Sequence, residues 1–129
     1  MFKIPLLLFC FIFPTFNEAK QEAAKNNKPI LVIVTGNSCI PCEILKKRVI
    51  EPMSNNNEFS SVNISSINID TDPDVVTVNE LLKGRRIKPQ VILFYKINEQ
   101  WKRATIIGND PNSGVMRQRI LNLIKLGGK

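Results

Sequence analysis

Histidine is absent from this sequence of 129 residues. Ser-His and Cys-His active sites take their general base from histidine, so the absence excludes both classes and every histidine-based metal site. The sequence also lacks a single basic stripe with interleaved aromatic residues, although its formal net charge is +7, so no nucleic-acid binding is expected. A dispersed positive charge is more typical of solubility, or of attraction to acidic partners and anionic lipid.

The longest apolar run, from Ile4 to Phe16, follows Lys3. It is shorter than the roughly 20 residues that a membrane-spanning helix needs. A charged start and an apolar middle are typical of a secretory signal, so we predict a signal peptide over 1–19, cleaved near Ala19 or a few residues later. Two alternatives remain open: an uncleaved N-terminus that tethers the protein to a membrane, and a buried first strand.

The cysteine count depends on this N-terminal prediction. Cys10 lies within the signal, so an exported chain over 20–129 retains only Cys39 and Cys42. Disulfides form and persist in exported proteins. Two ligands are too few for a structural zinc site within one chain.

These two cysteines lie between a strand-like segment and a helix-like segment. The apolar, β-branched stretch from Ile30 to Val34 predicts a strand buried on both faces. A polar turn and Cys39-Ile40-Pro41-Cys42 follow, and a helix is predicted over 41–50, ended by Pro52. A cysteine pair between a strand and a helix is a specific indication of redox chemistry.

The remaining pattern predicts one domain with a mixed sheet. Helices are expected over 20–27, 74–82 and 113–126, with Asp72 as the N-cap of the second and Pro73 as its first residue. Strands are expected over 62–70, 90–95 and 101–107, and the last two have hairpin spacing. Trp101, Phe94 and Tyr95 are expected to be core and strand residues rather than a binding site. The order of elements gives an α/β fold whose sheet is parallel early and antiparallel late, with helices on both faces.

Four segments together resemble the thioredoxin superfamily, and most of all its small exported bacterial members. They are 28–34, Cys39-Ile40-Pro41-Cys42, 88–94 and 105–108, and the resemblance extends over about 20–126. It implies a thioredoxin-like fold with a central mixed four-stranded sheet flanked by helices on both faces. It also implies export to a compartment such as the periplasm.

The resemblance also implies roles for individual residues. Cys39 corresponds to the exposed nucleophile and Cys42 to the resolving thiol. Pro89 corresponds to the cis-proline that faces the cysteine pair, and Gly108 to the glycine after the last strand. The residues expected to contact substrate are Ile40, Pro41, Lys88, Pro89 and Gln90.

The chemistry of the cysteine pair also follows from its position. Disulfide exchange needs a thiolate, and the N-terminus of a helix lowers a thiol pKa through its free N–H groups and its dipole. Cys39 stands at such an end. Cys42, three residues later, lies on the same side of the first turn and is placed to attack a mixed disulfide on Cys39. Pro41 stiffens this turn without breaking the helix.

This chain departs from thioredoxin itself at three positions. Ser38 replaces the aromatic residue before the first cysteine, Ile33 replaces a buried carboxylate, and Lys88 replaces a small or β-branched residue before the proline. Lys88 is either a cation that stabilises the Cys39 thiolate or a solvated lysine. Glu43 is either a proton carrier or an acid that complements the helix dipole.

The sequence therefore predicts an exported thiol:disulfide oxidoreductase that needs no cofactor and acts as a monomer. Its expected substrates are cysteine-containing exported proteins, and a membrane or soluble redox partner regenerates the dithiol. The alternative is a redox-inactive binding or assembly factor on the same fold. In that case the cysteine pair is structural or binds a soft metal such as Cu(I).

Overall fold

The computed structural model describes residues 13–128. Their helices are α1 (Phe16–Asn26), α2 (Ile40–Leu45), α3 (Glu51–Asn55), α4 (Val75–Leu82) and α5 (Ser113–Gly127), with a π-helical turn over Lys46–Ile50. The strands are β1 (Ile30–Thr35), β2 (Asn63–Asn68), β3 (Gln90–Ile97) and β4 (Gln100–Ile107). Most predicted elements are present, with ends shifted by a few residues.

The four strands form one sheet in the order β2-β1-β3-β4. β1 pairs with β2 in parallel, and it pairs with β3 antiparallel. β3 and β4 form the predicted hairpin through Asn98 and Glu99, whose φ values of 52° and 66° suit a two-residue turn. The mixed four-stranded sheet of the predicted α/β fold is confirmed.

Apolar side chains cover the sheet on both faces, as the continuous apolar run in β1 predicted. On one face the core is shared with α2, α3 and α5, and on the other with α1 and α4. The core on the first face includes Leu31, Leu93 and Ile120. The core on the second face includes Val32, Ile92 and Leu81. β1 is therefore an inner strand of the sheet that is buried on both faces.

The first helix begins earlier than predicted. Thr15 caps α1 in a capping box, in which its hydroxyl accepts from the Glu18 N–H and its own N–H donates to the Glu18 carboxylate. Ala19, the residue of α1 directly after Glu18, is 1% exposed. The predicted boundary at position 19 therefore falls inside α1, while residues 1–12 of the predicted signal lie outside the described residues. Across 13–128, no helix is long and apolar enough to cross a membrane.

Pro52 does not end the helix that follows the cysteine pair, contrary to the prediction. α2, the π-helical turn and α3 form one run, and Pro52 occupies the first turn of α3. In a regular α-helix a proline ring clashes with the carbonyl four residues earlier. Here the Glu51 N–H donates to the Lys46 carbonyl, five residues back, and this wider spacing precedes the proline.

Two further expectations are wrong. α4 is capped by Asp74, which accepts from the Thr77 N–H, because Asp72 instead accepts from the Asp74 N–H. Pro73 thus lies before the helix. Trp101 lies on β4 but is 47% exposed, and Lys96 Nζ lies 5.2 Å from its ring centroid.

Candidate redox site

Three chain segments meet at one end of the sheet. Thr35 at the end of β1 lies beside Asn68 at the end of β2, because these strands are parallel. Val34 lies beside Gln90 at the start of β3, because that pair is antiparallel. The loops over 36–39, 69–74 and 83–89 therefore emerge together.

The cysteine pair forms a disulfide in the first turn of α2. The Cα atoms of Cys39 and Cys42 are 5.2 Å apart. Cys39 is the N-cap residue, and its Sγ accepts a hydrogen bond from the Cys42 N–H at 3.2 Å. In the reduced protein this N–H and the helix dipole favour the Cys39 thiolate.

Access to the two sulfur-bearing side chains differs. Cys39 keeps 9% of its surface exposed and Cys42 only 1%, so Cys39 is the more accessible but is less open than the resemblance implied. Ile40 is 74% exposed and Pro41 is also exposed. An apolar patch thus adjoins Cys39, at the place where substrate contact was predicted.

The proline loop adjoins this region. The Lys88–Pro89 peptide bond is cis, and Pro89 is buried. The Gly108 N–H donates to the Pro89 carbonyl at 2.8 Å. Within residues 13–128, neither the backbone N–H nor the carbonyl of Lys88 has a hydrogen-bond partner. Backbone groups for pairing with an extended segment are therefore present directly before Pro89.

Gln90 is predicted to dock substrate backbone, and its side chain is engaged inside the protein. Gln90 is 1% exposed, and its Nε2 donates to the carbonyls of Arg85 and Ile87, both at 2.8 Å. Its side-chain amide therefore holds the loop before Pro89 through two hydrogen bonds. A buried polar side chain needs such partners, and here the loop carbonyls provide them.

Lys88 is partly exposed and is paired with an acid. Its Nζ lies 2.6 Å from Asp70 Oδ2 and donates to the Asn37 carbonyl at 2.8 Å. Asp70 also accepts from the Asn37 N–H at 2.7 Å. The Lys88 hydrogen bond, followed by that of Asn37, lowers the pKa of Asp70 below its ordinary value, so the carboxylate is charged at neutral pH.

Cys42 lines a cavity of about 280 Å³. Ile33 and Glu43 contribute to its lining, so the position that holds a carboxylate in thioredoxin is apolar here, and an acid is nearby. In the described part of the chain, no group of three or more histidine, cysteine or acidic residues converges in a way that suits a metal ion.

Sequence reasoning missed Gly36, Asn37 and Asp70. Asp70 was placed at the end of a strand, and its contact with Lys88 depends on how β2 and β3 are ordered in the sheet. The available signal was that the carboxyl ends of β1 and β2 and the start of β3 share one sheet edge. Polar residues directly after parallel strands commonly gather at such an edge.

Comparison with known proteins agrees with this architecture. Residues 12–94 match a protein family described as thioredoxin-like. A thioredoxin from Thermus thermophilus superposes with a TM-score of 0.68 at 16% identity, over 90% of this chain and 85% of that one. The DsbH oxidoreductase superposes with a TM-score of 0.62 at 17% identity, over 98% of this chain and 93% of that one.

Chloroplastic thioredoxin z is similar too, with a TM-score of 0.62 at 16% identity, over 94% of this chain and 99% of that one. None of the curated proteins compared with the chain matches it in sequence. The fold with its Cys39–Cys42 disulfide suggests thiol–disulfide exchange as the general chemistry. Because the family match covers more than half of the 129 residues, the chain belongs to the thioredoxin-like family.

Proposed function

We propose that the protein is an exported thiol:disulfide oxidoreductase that exchanges its Cys39–Cys42 dithiol or disulfide with cysteines of other exported proteins. The observation that carries the proposal is the disulfide in the first turn of α2, with its N-terminal sulfur at the helix end. Such a short ring adds little loop-closure stabilisation, so redox exchange accounts for it better than structural support.

The reductive half of the exchange has two steps. The Cys39 thiolate attacks one sulfur of a substrate disulfide, which forms a mixed disulfide and releases one substrate thiolate. Cys42, after losing its proton, then attacks Cys39 Sγ, which closes the Cys39–Cys42 disulfide and releases the second substrate thiolate. Two electrons pass to the substrate, whose thiolates take up two protons. Substrate oxidation is the reverse sequence.

The assignment of the two roles is supported by accessibility. Cys39 is the more exposed of the pair and receives the Cys42 N–H, whereas Cys42 is almost fully buried and meets only what Cys39 has already bound. Substrate docks over Ile40 and Pro41, and its backbone pairs with the free groups of Lys88 beside Pro89.

Export is supported by the charged and apolar N-terminal segment in the sequence. In a compartment such as the periplasm, the substrates are cysteine-containing exported proteins. A membrane or soluble redox partner regenerates the pair after each turnover, and the protein acts as a monomer.

Reduction of insulin disulfides by the intact protein, Cys39→Ser and Cys42→Ser tests the proposal. We expect turnover only by the intact protein, since both sulfurs are needed for a complete cycle. Cys42→Ser retains the attacking thiol, so it should accumulate mixed disulfides in cells, whereas Cys39→Ser should not.

An intact protein without turnover, together with a Cys42→Ser variant that traps no mixed disulfide, would contradict the proposal. Those results would favour a structural or Cu(I)-binding pair. The redox state of the pair in cells gives the direction of electron flow: a mostly reduced pair indicates a reductase, and a mostly oxidised pair indicates an oxidase.

A further inference from the structure

A cluster of polar groups next to the cysteine pair joins the three loops of the site. The Asp70 carboxylate accepts from the Asn37 N–H and from Lys88, and the same Lys88 ammonium donates to the Asn37 carbonyl. One acid and one base thus hold both backbone polar groups of Asn37. We call this arrangement of Asn37, Asp70 and Lys88 the loop clamp.

Two neighbouring residues fit the loop clamp closely. Asn68 donates from Nδ2 to Asn37 Oδ1 at 3.1 Å, and its own Oδ1 accepts from the Asp70 N–H at 2.9 Å. A Cβ atom on Gly36 would lie 2.5 Å from Asp70 Oδ2 and 2.9 Å from Lys88 Nζ. Glycine at position 36 therefore leaves the space in which the acid and the base meet.

The loop clamp connects the two sides of the redox site. Asn37 stands two residues before Cys39, and Lys88 directly precedes Pro89. A charged pair therefore links the loop over 36–39 to the loop over 83–89. Any change in that pair reaches both the attacking sulfur and the backbone that meets substrate.

The same contacts bear on the charge near Cys39, because the Lys88 ammonium is bonded to the carbonyl of Asn37, two residues before Cys39. A free lysine ammonium beside a cysteine favours the thiolate, stabilises the reduced form and makes the pair more oxidising. Here the ammonium lies 2.6 Å from a carboxylate, and the two side chains are similarly accessible, at 29% and 31%. A closely paired cation and anion act on a third group as a dipole, which is far weaker than a net charge.

We infer that Asp70 is a positioning residue of the redox site, which neutralises Lys88 and thereby limits the thiolate fraction of Cys39 and the reduction potential of the pair. This inference rests on the proposed redox function. Asp70 pairs with Lys88 and so reduces the effect of the lysine charge on the Cys39 sulfur.

Asp70→Asn, Lys88→Gln and the double variant form the test. Asparagine preserves the shape of Asp70 and still accepts from the Asn37 N–H, so the substitution removes the charge and little else. Two quantities are measured: the Cys39 thiol pKa, from the pH dependence of alkylation, and the equilibrium constant of the pair with glutathione.

The two single variants should change in opposite directions. Asp70→Asn releases the lysine charge, so the Cys39 pKa falls and the equilibrium shifts toward the dithiol on the order of three- to tenfold. Lys88→Gln removes one positive charge and leaves Asp70 with Arg86, whose Nη2 is 4.0 Å from Asp70 Oδ1. The Cys39 pKa therefore rises, and the equilibrium shifts toward the disulfide. The double variant should return close to the intact protein.

Glu58→Gln is the matched control. Its carboxylate accepts from Arg117 Nε at 3.0 Å, so the substitution removes the same charge from another ion pair. The Glu58 N–H donates to the Met53 carbonyl, and Met53 stands 13 residues along the helical run from Ile40, which is roughly 20 Å at about 1.5 Å per residue. We expect no change in the Cys39 pKa in this variant.

Other outcomes overturn the inference. If Lys88→Gln raises the Cys39 pKa but Asp70→Asn leaves it unchanged, the lysine acts on the sulfur without being neutralised. If both variants only lower thermal stability, the loop clamp is structural alone. An intact protein whose pair never equilibrates with glutathione contradicts the proposed function instead, while the Cys39 pKa values still test the loop clamp.

Discussion

Two ion pairs in this protein are chemically alike and differ in what surrounds them. Asp70 with Lys88 and Glu58 with Arg117 each join segments distant in sequence, and both are partly exposed. The first pair also binds both backbone groups of Asn37, beside the cysteines. The second pair connects only side chains, between the loop after α3 and helix α5.

The difference shows what makes a surface ion pair matter. Exposed pairs contribute little to stability on average, since water and salt screen them and ordering two side chains costs entropy. The Glu58 pair is bidentate, with Arg117 Nε and Nη2 on its two carboxylate oxygens, so it lies at the stronger end of that small range. The Asp70 pair adds fixed hydrogen bonds to a loop next to a reactive sulfur, so its effect is expected in chemistry more than in stability.

Removing residues 13–19 deletes apolar contacts instead of an ion pair. We expect this change to have the largest effect on stability. A chain that starts at residue 20 loses the Thr15 cap, buried Ala19 and the contact of Phe16 with Phe94, whose ring centroids are 5.6 Å apart. We expect a loss of about 2–4 kcal/mol from the free energy of unfolding. Urea denaturation against a chain that starts at residue 13 measures it. Equal stabilities would favour the predicted domain boundary at position 20.

Gly36→Ala breaks the loop clamp by sterics. The new methyl group overlaps Asp70 Oδ2 and Lys88 Cδ, both 2.5 Å away, and the pair has to separate. Because both contacts are parts of flexible side chains, we expect a loss of no more than about 1 kcal/mol in urea denaturation, at the low end for overpacked sites, and a lower Cys39 pKa.

Gly114→Ala is the control, because the nearest atom to its added methyl group is a flexible side-chain oxygen at 3.3 Å. This variant should lose no stability, since alanine favours a helix over glycine. An equal loss in both variants would mean that the crowding at Gly36 has no special consequence.

Glu58→Gln tests the remote pair and should have a smaller effect than Gly36→Ala. Its partner Arg117 stays solvated when the carboxylate is removed, so the urea midpoint should fall only slightly. The remaining difference from the intact protein should shrink further at high salt, because salt screens exposed charges. A large loss, or a change in insulin reduction, would place the two ion pairs in the same class.

Measuring the urea midpoint as a function of pH compares both pairs in one experiment. Near neutral pH, we expect the smallest change in this midpoint of all the tests. The pKa values of Asp70, Glu58 and Asp74 lie below their ordinary values because of hydrogen bonds from Lys88, Arg117 and Thr77 respectively. A lowered folded-state pKa contributes stability that is present above the unfolded value of about 4 and is lost as pH falls through the folded value. The urea midpoint should therefore be flat from pH 5 to 8 by this contribution, and Asp70→Asn should lose less at low pH than the intact protein does.

Much of the site was predictable because its parts are local. The buried strand before Cys39, the helix after it and the proline before β3 all follow from short patterns. The resemblance added the correspondence between Pro89 and the cysteine pair. Errors concentrated where local signals compete: Asp72 and Asp74 are both suitable caps, and Pro52 ends a regular α-helix but not one that widens before it.

The environment of other residues is made by distant parts of the chain. Gln90 reads as a polar residue beside a site, yet its amide is buried against two carbonyls of the preceding loop. Trp101 reads as a core residue, yet it is 47% exposed on β4. Neither result is encoded in the neighbouring residues, because burial is set by which elements pack together.

The sequence by itself determined the order strand, turn, cysteine pair and helix, since hydrophobic period, caps and turn residues act over a few residues. It also determined which sulfur stands at the helix end. Only the tertiary structure decided that Lys88 meets Asp70, because the loops that carry them become neighbours through the sheet order β2-β1-β3-β4. Whether a charge reaches a sulfur depends on distance and on its nearest partner, and both are properties of the folded chain.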